Sequence, residues 1–271
     1  RTEKACSALA RVEISDSGKT VAAKEVPVQI APKSESGADI AVLADGVELW
    51  STDHPKLYEM RVCVSVDGKV TDCIRETFGY RWYEIINESE SAEDQNYGLY
   101  LNGKKLIIRG VNRHEQWPWI GRAVCDKLQA ADADMIKSSG INTVRCSHYP
   151  QSKAFLKRCD EIGLIVFEEA PGWQHIGDEA WQEVYLKNVE EMVLRDRNHP
   201  CIFTWGVRVN ESPDNHELYE KSNALAKSLD PSRHTHGVRM AETYAESEFQ
   251  EDIFCANYSY PEKPRFTPYV I

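Results

Sequence analysis

Two kinds of reactive side chain follow apolar runs in the second half of the chain. Asn210-Glu211 comes shortly after the apolar run 201–207, and His114 and His148 follow two other runs. A carboxyl group that is partly buried at the end of a strand has a raised pKa, which lets it act as a general acid near neutral pH. The sequence therefore predicts Glu211 as a general acid, with the two histidines beside it.

A second carboxylate pair and several tryptophans extend this set. Neighbouring residues of a strand point to opposite faces, so at most one of Glu168 and Glu169 can enter a shared site. We expect Glu169 to be that residue and to contribute to substrate binding. Trp117, Trp119 and Trp173 are either packing aromatics or flat faces on which a sugar ring stacks, and we expect Trp173 to contact substrate.

A metal site is the alternative use of the same residues. Cys146 and His148 form a Cys-x-His pair, but no third and fourth ligands follow at the spacing of a structural zinc site. A metal-dependent hydrolase that uses His114, His148 and His175 is a separate hypothesis, which metal analysis would decide.

The elements that must position these residues alternate between strand and helix over residues 97–271. Such alternation implies a parallel sheet with right-handed crossovers, and polar residues after the strand ends favour a (β/α)8 barrel, here cut short near its seventh strand. The predicted helices cover 126–138, 152–162, 178–197 and 215–229, and the predicted strands cover 105–111, 141–146, 164–168, 201–207, 235–239, 252–257 and 268–271.

Residues 1–86 have a different pattern, with short alternating strands, turns at Asp16-Ser17-Gly18 and Asp67-Gly68, and a further strand at 40–43. We predict an immunoglobulin-like β-sandwich here. Residues 87–96 carry almost no apolar side chain and are predicted to be a linker or exposed loop.

Composition excludes several classes of protein. The net charge of −11 argues against binding to nucleic acid or anionic membranes, and no apolar run is long enough to span a bilayer. The eight cysteines are scattered, which favours reduced thiols and a cytoplasmic location, although Cys63 and Cys73 flank a hairpin turn and lie near each other if it forms. No initiating Met and no apolar signal core are present, so we expect an internal piece of a longer protein.

Ordered motifs along the chain resemble glycoside hydrolase family 2. In the predicted barrel these are Leu101-Asn102-Gly103-Lys104, Arg109-Gly110-Val111-Asn112-Arg113-His114-Glu115, Gly140 to Pro150, Asp160-Glu161-Ile162-Gly163-Leu164, Arg195 to Pro200 and Asn210-Glu211-Ser212. Upstream, Leu49-Trp50-Ser51, His54 to Tyr58 and Phe78-Gly79-Tyr80-Arg81 resemble the family's immunoglobulin-like domain. The Asn-Arg-His-Glu and Arg-Cys-Ser-His-Tyr-Pro motifs are closer to the β-galactosidase branch than to the β-glucuronidase or β-mannosidase branches.

The resemblance implies a retaining β-glycosidase that acts on a β-galactoside. Glu211 would be the general acid/base, Asn210 would bind the sugar 2-hydroxyl, and His114 and His148 would hold the non-reducing sugar. Tyr258 matches a tyrosine near the family's nucleophile.

The resemblance requires no cofactor, and it leaves a homo-oligomer open. His175 matches a position that binds magnesium in some β-galactosidases, but Trp173 stands where the partner carboxylate is expected.

Two departures from the family pattern limit these expectations. Gly206-Val207-Arg208-Val209 stands where a Ser-Leu-Gly stretch is common. The family's nucleophile is a Glu after the seventh strand, which we expect just beyond Ile271, so the chain by itself is expected to be inactive. A β-glucuronidase or other family 2 glycosidase, and a non-catalytic carbohydrate-binding or structural module, remain the alternatives.

Overall fold

The structure is a computed structural model. It describes residues 3–86, 98–240, 248–257 and 269–270. The chain divides into two compact units, the first made of residues 1–50 and 56–80 and the second of residues 51–55 and 81–271. The predicted linker 87–96 lies outside the described residues.

The first unit is a β domain built on a four-stranded antiparallel sheet. Its strands are β1 (Cys6–Asp16), β2 (Lys19–Ile30), β3 (Tyr58–Val66) and β4 (Lys69–Phe78), in the order β2-β1-β3-β4. The two hairpin turns at Ser17-Gly18 and Asp67-Gly68 have positive φ at both central residues, which matches the right-handed twist of the strands.

One expectation for this unit is wrong, and one holds in part. The strand predicted at 40–43 does not form, because no described strand pairs with this segment. Leu43 is consequently left 89% exposed. Reduced thiols are found for six cysteines, but Cys63 and Cys73 lie directly opposite each other on β3 and β4 and form a disulfide.

The second unit contains the incomplete (β/α)8 barrel that the sequence predicts. Its seven parallel strands neighbour one another in chain order. They are β8 (Gly110–Arg113), β9 (Thr143–Cys146), β10 (Ile165–Glu169), β11 (Ile202–Gly206), β12 (His234–Met240), β13 (Ile253–Asn257) and β14 (Tyr269–Val270). A small antiparallel sheet of β5 (Tyr83–Ile86), β6 (Gly98–Leu101) and β7 (Lys104–Leu106) precedes it. The strand expected over 105–111 is therefore divided between β7 and β8.

Four helices connect the first five barrel strands: α1 (Asp126–Ser138), α2 (Lys153–Ile162), α3 (Glu179–Asp196) and α4 (His216–Leu229). Local sequence explains their ends. The Ser152 hydroxyl accepts a hydrogen bond from the Phe155 amide, and Gly163 ends α2 in the left-handed conformation at φ 73°. Among the described residues, none of the helices has the length and apolar content that a membrane span requires.

Candidate active site

A cavity of about 670 Å³ opens in the second unit, at the carboxyl ends of the parallel strands. Residues at the ends of β8, β9, β10, β11 and β13, or after them, contribute to its wall. They are Asn112, His114, Arg122, Arg145, Ser147, His148, Tyr149, Pro171, Gly172, Trp173, Glu211 and Asn257. The structure therefore brings Glu211, His114, His148 and Trp173 together in one cavity.

The Glu211 carboxylate is held by three nitrogen donors. Its Oε2 accepts hydrogen bonds from Trp173 Nε1 at 3.0 Å and Gln174 Nε2 at 3.1 Å, and its Oε1 accepts one from Asn257 Nδ2 at 2.7 Å. The expectation of a raised pKa is wrong. Burial raises the pKa of Glu211, but the three donors stabilise the ionised form more, so the net pKa is lowered.

The backbone around Glu211 is also unusual. Glu211 has a φ of 56°, in the left-handed region that side chains other than glycine seldom occupy. Its amide donates to Val238 O at 2.9 Å, and the preceding Asn210 carbonyl accepts from the Gln174 amide at 2.7 Å. These two hydrogen bonds tie the segment after β11 to β12 and to the chain that follows β10, which holds the side chain at the cavity wall.

Arg145 lines the cavity and joins the ends of four strands. Its guanidinium pairs with both oxygens of Glu169, and its Nη2 donates to Asn210 Oδ1 at 2.6 Å. Nη1 donates to Asn257 Oδ1 at 2.9 Å, and Nη2 lies 3.1 Å from His148 Nδ1. One cation at the cavity wall, with a side chain 14% exposed, therefore contacts an acid, two amides and a histidine around the site.

Glu169 and Asn210 lie behind the cavity wall. Glu169 is 3% exposed. Burial raises the pKa of its carboxyl, but Arg145, His148 and His236 lower it by more, so the net pKa is lowered and the carboxyl is ionised. Neither residue lines the cavity. Asn210 accepts a second hydrogen bond from Asn257, and its buried Nδ2 has no partner among the described residues.

The two histidines face each other across one side of the cavity. The rings of His114 and His148 lie 5.2 Å apart in an edge-to-face arrangement. Burial lowers the pKa of His114, and the positive charges of Arg122 and Arg145 act in the same direction, together with His148 when it is protonated. A neutral His114 presents one nitrogen as donor and the other as acceptor, which suits contact with sugar hydroxyl groups.

The other predicted residues lie in different places. Trp173 is 61% exposed and lines the cavity, whereas Trp119 is 99% exposed at the tip of a turn and does not line it. The ring of His175 packs edge-on against Trp181. Tyr258 lies outside the described residues.

Metal-binding potential among the described residues is limited to one cluster. Asp160, His199 and Cys201 lie close enough to share an ion, and His175, His114 and His148 belong to no such group. Within the cluster, Asp160 accepts hydrogen bonds from His199 and from the Cys201 amide. Burial raises the pKa of the Cys201 thiol, so these residues fit a hydrogen-bonded core better than a metal site.

Sequence reasoning missed Arg145 and Gln174, and it noted Asn257 only as a polar residue at the end of a strand, with no role assigned. Arg145 stands at an inward position of an otherwise apolar strand, a signal that was available. Asn257 is the last residue of β13, at the same edge of the sheet where Glu211 follows β11. Gln174 carries no signal, because only the fold brings it near Glu211.

Comparison with known proteins places this geometry in a family. Residues 93–266 match the family model for the TIM barrel domain of glycosyl hydrolases family 2, and residues 2–81 match a second model of glycosyl hydrolases family 2. The chain belongs to glycosyl hydrolase family 2, as the motifs predict.

Individual relatives agree with this assignment. The chain is 48% identical over 209 residues to a β-galactosidase of Thermoanaerobacter pseudethanolicus, covering 77% of this chain and 27% of that protein. It is 43% identical over 250 residues to a β-galactosidase of Thermoanaerobacterium thermosulfurigenes, covering 91% and 33%. A solved structure of a family 2 member from Bacteroides cellulosilyticus superimposes with a TM-score of 0.80 at 26% identity, covering 94% and 35%. The chain thus spans about a third or less of the curated relatives.

Proposed function

We propose that this chain carries the acid/base half of the active site of a retaining β-galactosidase. The observation that supports the proposal is the Glu211 carboxylate, which faces the cavity and is oriented there by N–H groups from Trp173, Gln174 and Asn257. The two β-galactosidase relatives support the choice of sugar, and because the chain covers only part of each, the substrate is part of the proposal.

The proposed reaction has two steps. In the first, the Glu211 carboxyl gives its proton to the glycosidic oxygen as the bond from that oxygen to C1 breaks, while a second carboxylate attacks C1 and forms a glycosyl ester. In the second, the Glu211 carboxylate takes a proton from water, whose oxygen attacks C1 and releases the second carboxylate. That second carboxylate is the family's nucleophile, which we expect just beyond Ile271.

The lowered pKa of Glu211 fits the second step directly, because the residue must then be a base. The first step needs its protonated form. A second carboxylate about 5–5.5 Å away would favour that form by like-charge repulsion, and formation of the ester would remove the repulsion. We infer that the three donors hold the Glu211 side chain in place, and that the charge of the nucleophile decides whether Glu211 is protonated.

Sugar recognition is assigned to His114, His148 and Trp173, which line the same cavity as Glu211. His114 and His148 would contact the hydroxyl groups of the non-reducing sugar, and the exposed indole of Trp173 would stack on it. The family resemblance assigns the 2-hydroxyl to Asn210. Its Nδ2 has no partner among the described residues and is the donor that such a contact needs, although Asn210 lies behind the cavity wall, so the sugar would have to reach past the lining residues. Glu169 would act through Arg145 and His148, without contacting substrate.

Three further properties stay proposals. A cytoplasmic location is supported by six free cysteines, whereas the Cys63–Cys73 disulfide favours an oxidising compartment. Fractionation of cells that express the full-length protein would decide between these compartments. Gel filtration of the full-length protein would test for a homo-oligomer, and metal analysis would test for a magnesium ion at His175.

The proposal is tested with the full-length protein on aryl β-galactoside, β-glucuronide and β-mannoside substrates at equal concentration. We expect the galactoside to have the largest kcat/KM, with retention of the β configuration in the first product. A larger kcat/KM for the glucuronide would assign the protein to the β-glucuronidase branch of the family. No turnover of any β-glycoside would favour the non-catalytic module.

A further inference from the structure

Arg208 is a buried cation in the segment that leads from β11 to Glu211. It belongs to Gly206-Val207-Arg208-Val209, the stretch that departs from the family pattern. A buried guanidinium needs acceptors for its N–H groups and a negative charge to balance it. The acceptors of Arg208 therefore show what this side chain holds, and none of them has a part in the proposed reaction.

Two hydrogen bonds of Arg208 go to the chain just after Glu211. Its Nη2 donates to the Ser212 carbonyl at 3.0 Å and to Asp214 Oδ1 at 2.6 Å. The other oxygen of Asp214 accepts a hydrogen bond from the Glu248 amide at 2.9 Å, so this carboxylate is itself held in place. Arg208 thus ties residues 212 and 214 back to the end of β11.

Tyr219 on α4 holds the same turn from a second direction. The Arg208 guanidinium lies over the Tyr219 ring, 4.7 Å from its centre. The Tyr219 hydroxyl and the Ser212 hydroxyl share a hydrogen bond of 2.5 Å, and Ser212 is 4% exposed. The carbonyl and the side chain of Ser212 are therefore both fixed, one by Arg208 and the other by its stacking partner.

Glu211 lies between these fixed groups in a conformation that needs support. Its φ of 56° is in the left-handed region, where residues other than glycine remain only if the surrounding structure holds them. On the amino side, the hydrogen bonds to Gln174 and Val238 provide that support. On the carboxyl side, the hydrogen bond from Arg208 to the Ser212 carbonyl provides it.

We propose that Arg208 is a positioning residue, which fixes the turn after β11 and so aims the Glu211 carboxyl at the glycosidic oxygen. Without Arg208, the turn can relax from the left-handed conformation, and the carboxylate would move away from its donors Trp173 and Asn257. A displacement of about 1 Å in a reacting group can cost about 10²-fold in rate. This inference rests on the proposed role of Glu211 as the acid.

The test uses the full-length protein and compares two buried arginines. Arg208→Met keeps much of the side chain's volume and removes its donors. Arg233→Met is the matched control, because Arg233 also pairs with a carboxylate, Asp230, and lies over an aromatic ring, that of Trp205. The carbonyls that Arg233 binds belong to residues 197, 199 and 202, at the opposite end of β11 from Glu211.

The rates are measured on an alkyl β-galactoside and on an aryl β-galactoside whose phenol has a low pKa. Arg208→Met should lose about 10–100-fold more kcat/KM on the alkyl substrate, because only that leaving group needs the proton. Arg208→Lys should recover part of the difference, since one ammonium group can donate to both acceptors of Nη2. Arg233→Met should lower both rates by the same factor, as a loss of folded enzyme does. Equal losses on both substrates in Arg208→Met would overturn the positioning role.

A second measurement follows the Glu211 side chain without any substrate. The Trp173 indole N–H donates to Glu211 Oε2, so its resonance in protein labelled with ¹⁵N-tryptophan reports where the carboxylate lies. Trp173→Phe identifies the resonance. It should shift in Arg208→Met and stay in place in Arg233→Met, and an unshifted resonance in Arg208→Met would overturn the proposal.

Two further arms keep the result decisive. If Arg208→Met does not fold, Asp214→Ala takes its place, because it removes one acceptor of Arg208 at a side chain that is 30% exposed. It should show the same selective loss and the same shift, each smaller. If Glu211→Gln loses equally on both substrates, the assignment of Glu211 as the acid fails, and the Trp173 resonance still decides whether Arg208 positions the carboxylate.

Discussion

At the scale of single residues, the charge of Glu211 is set by neighbours that are remote in sequence. Trp173, Gln174 and Asn257 reach it from two other strand ends, and their N–H groups outweigh the effect of burial. The sequence shows the carboxyl after its strand but not these donors. That is why it predicts the position of Glu211 in the cavity and the wrong direction of its pKa shift.

Replacing one donor should raise the pKa of Glu211. Trp173→Phe keeps an aromatic face but removes the indole N–H that stabilises the carboxylate, so the protonated acid should persist to higher pH. We expect the alkaline limb of the kcat/KM profile of the full-length protein to move upward. Trp119→Phe, at the fully exposed turn, is the matched control and should leave the limb in place. A limb that moves downward in Trp173→Phe would contradict this account of the charge.

Arg145 is expected to matter for stability as well as activity. Arg145→Met leaves Glu169 buried without its ion-pair partner, and breaking such a pair costs about 3–5 kcal/mol. Urea unfolding should show this loss, and the double variant with Glu169→Gln should recover part of it. A double variant less stable than Arg145→Met would show that the pair is not the source of the loss.

At the scale of elements, the helices of the barrel were predictable and the short strands were less so. α2 begins after the Ser152 cap and ends at Gly163, as its sequence predicts. The apolar alternation at 40–43 predicts a strand, but strands need partners, and none pairs with it in the described residues. The run 105–111 is divided because Lys104–Leu106 pairs with β6 and Gly110–Arg113 joins the barrel.

Gly206 at the end of β11 is needed for the packing inside the barrel. A Cβ atom there would lie 2.6 Å from Glu169 Cγ and 2.9 Å from His236 Nε2. Gly206→Ala should therefore displace Glu169, cost about 1–3 kcal/mol of stability and lower activity through Arg145. Gly37→Ala, where the added methyl group meets no atom within 4 Å, is the control. Equal melting temperatures for the two variants would show that the site tolerates the added atom.

At the scale of the whole molecule, the described residues supply the proposed acid/base and the proposed sugar-binding wall. The cavity, Glu211 and the histidines belong to one unit, and the two-step reaction needs a further carboxylate. We expect residues 1–271 expressed alone to hydrolyse no β-galactoside under conditions where the full-length protein does. Turnover by residues 1–271 that disappears in Glu211→Gln would place both carboxylates within this chain.

The central claim is that Glu211 donates the proton to the leaving group, and the dependence of rate on that group tests it most directly. Glu211→Gln and wild type, both full length, are assayed on aryl β-galactosides whose phenols span a range of pKa. A phenolate of low pKa leaves without protonation, so the variant should retain most of its kcat/KM on such a substrate. On an alkyl β-galactoside it should lose about 10²–10⁴-fold, the contribution of general acid catalysis. An equal loss on every substrate, or none on the alkyl galactoside, would contradict the assignment of Glu211 as the acid.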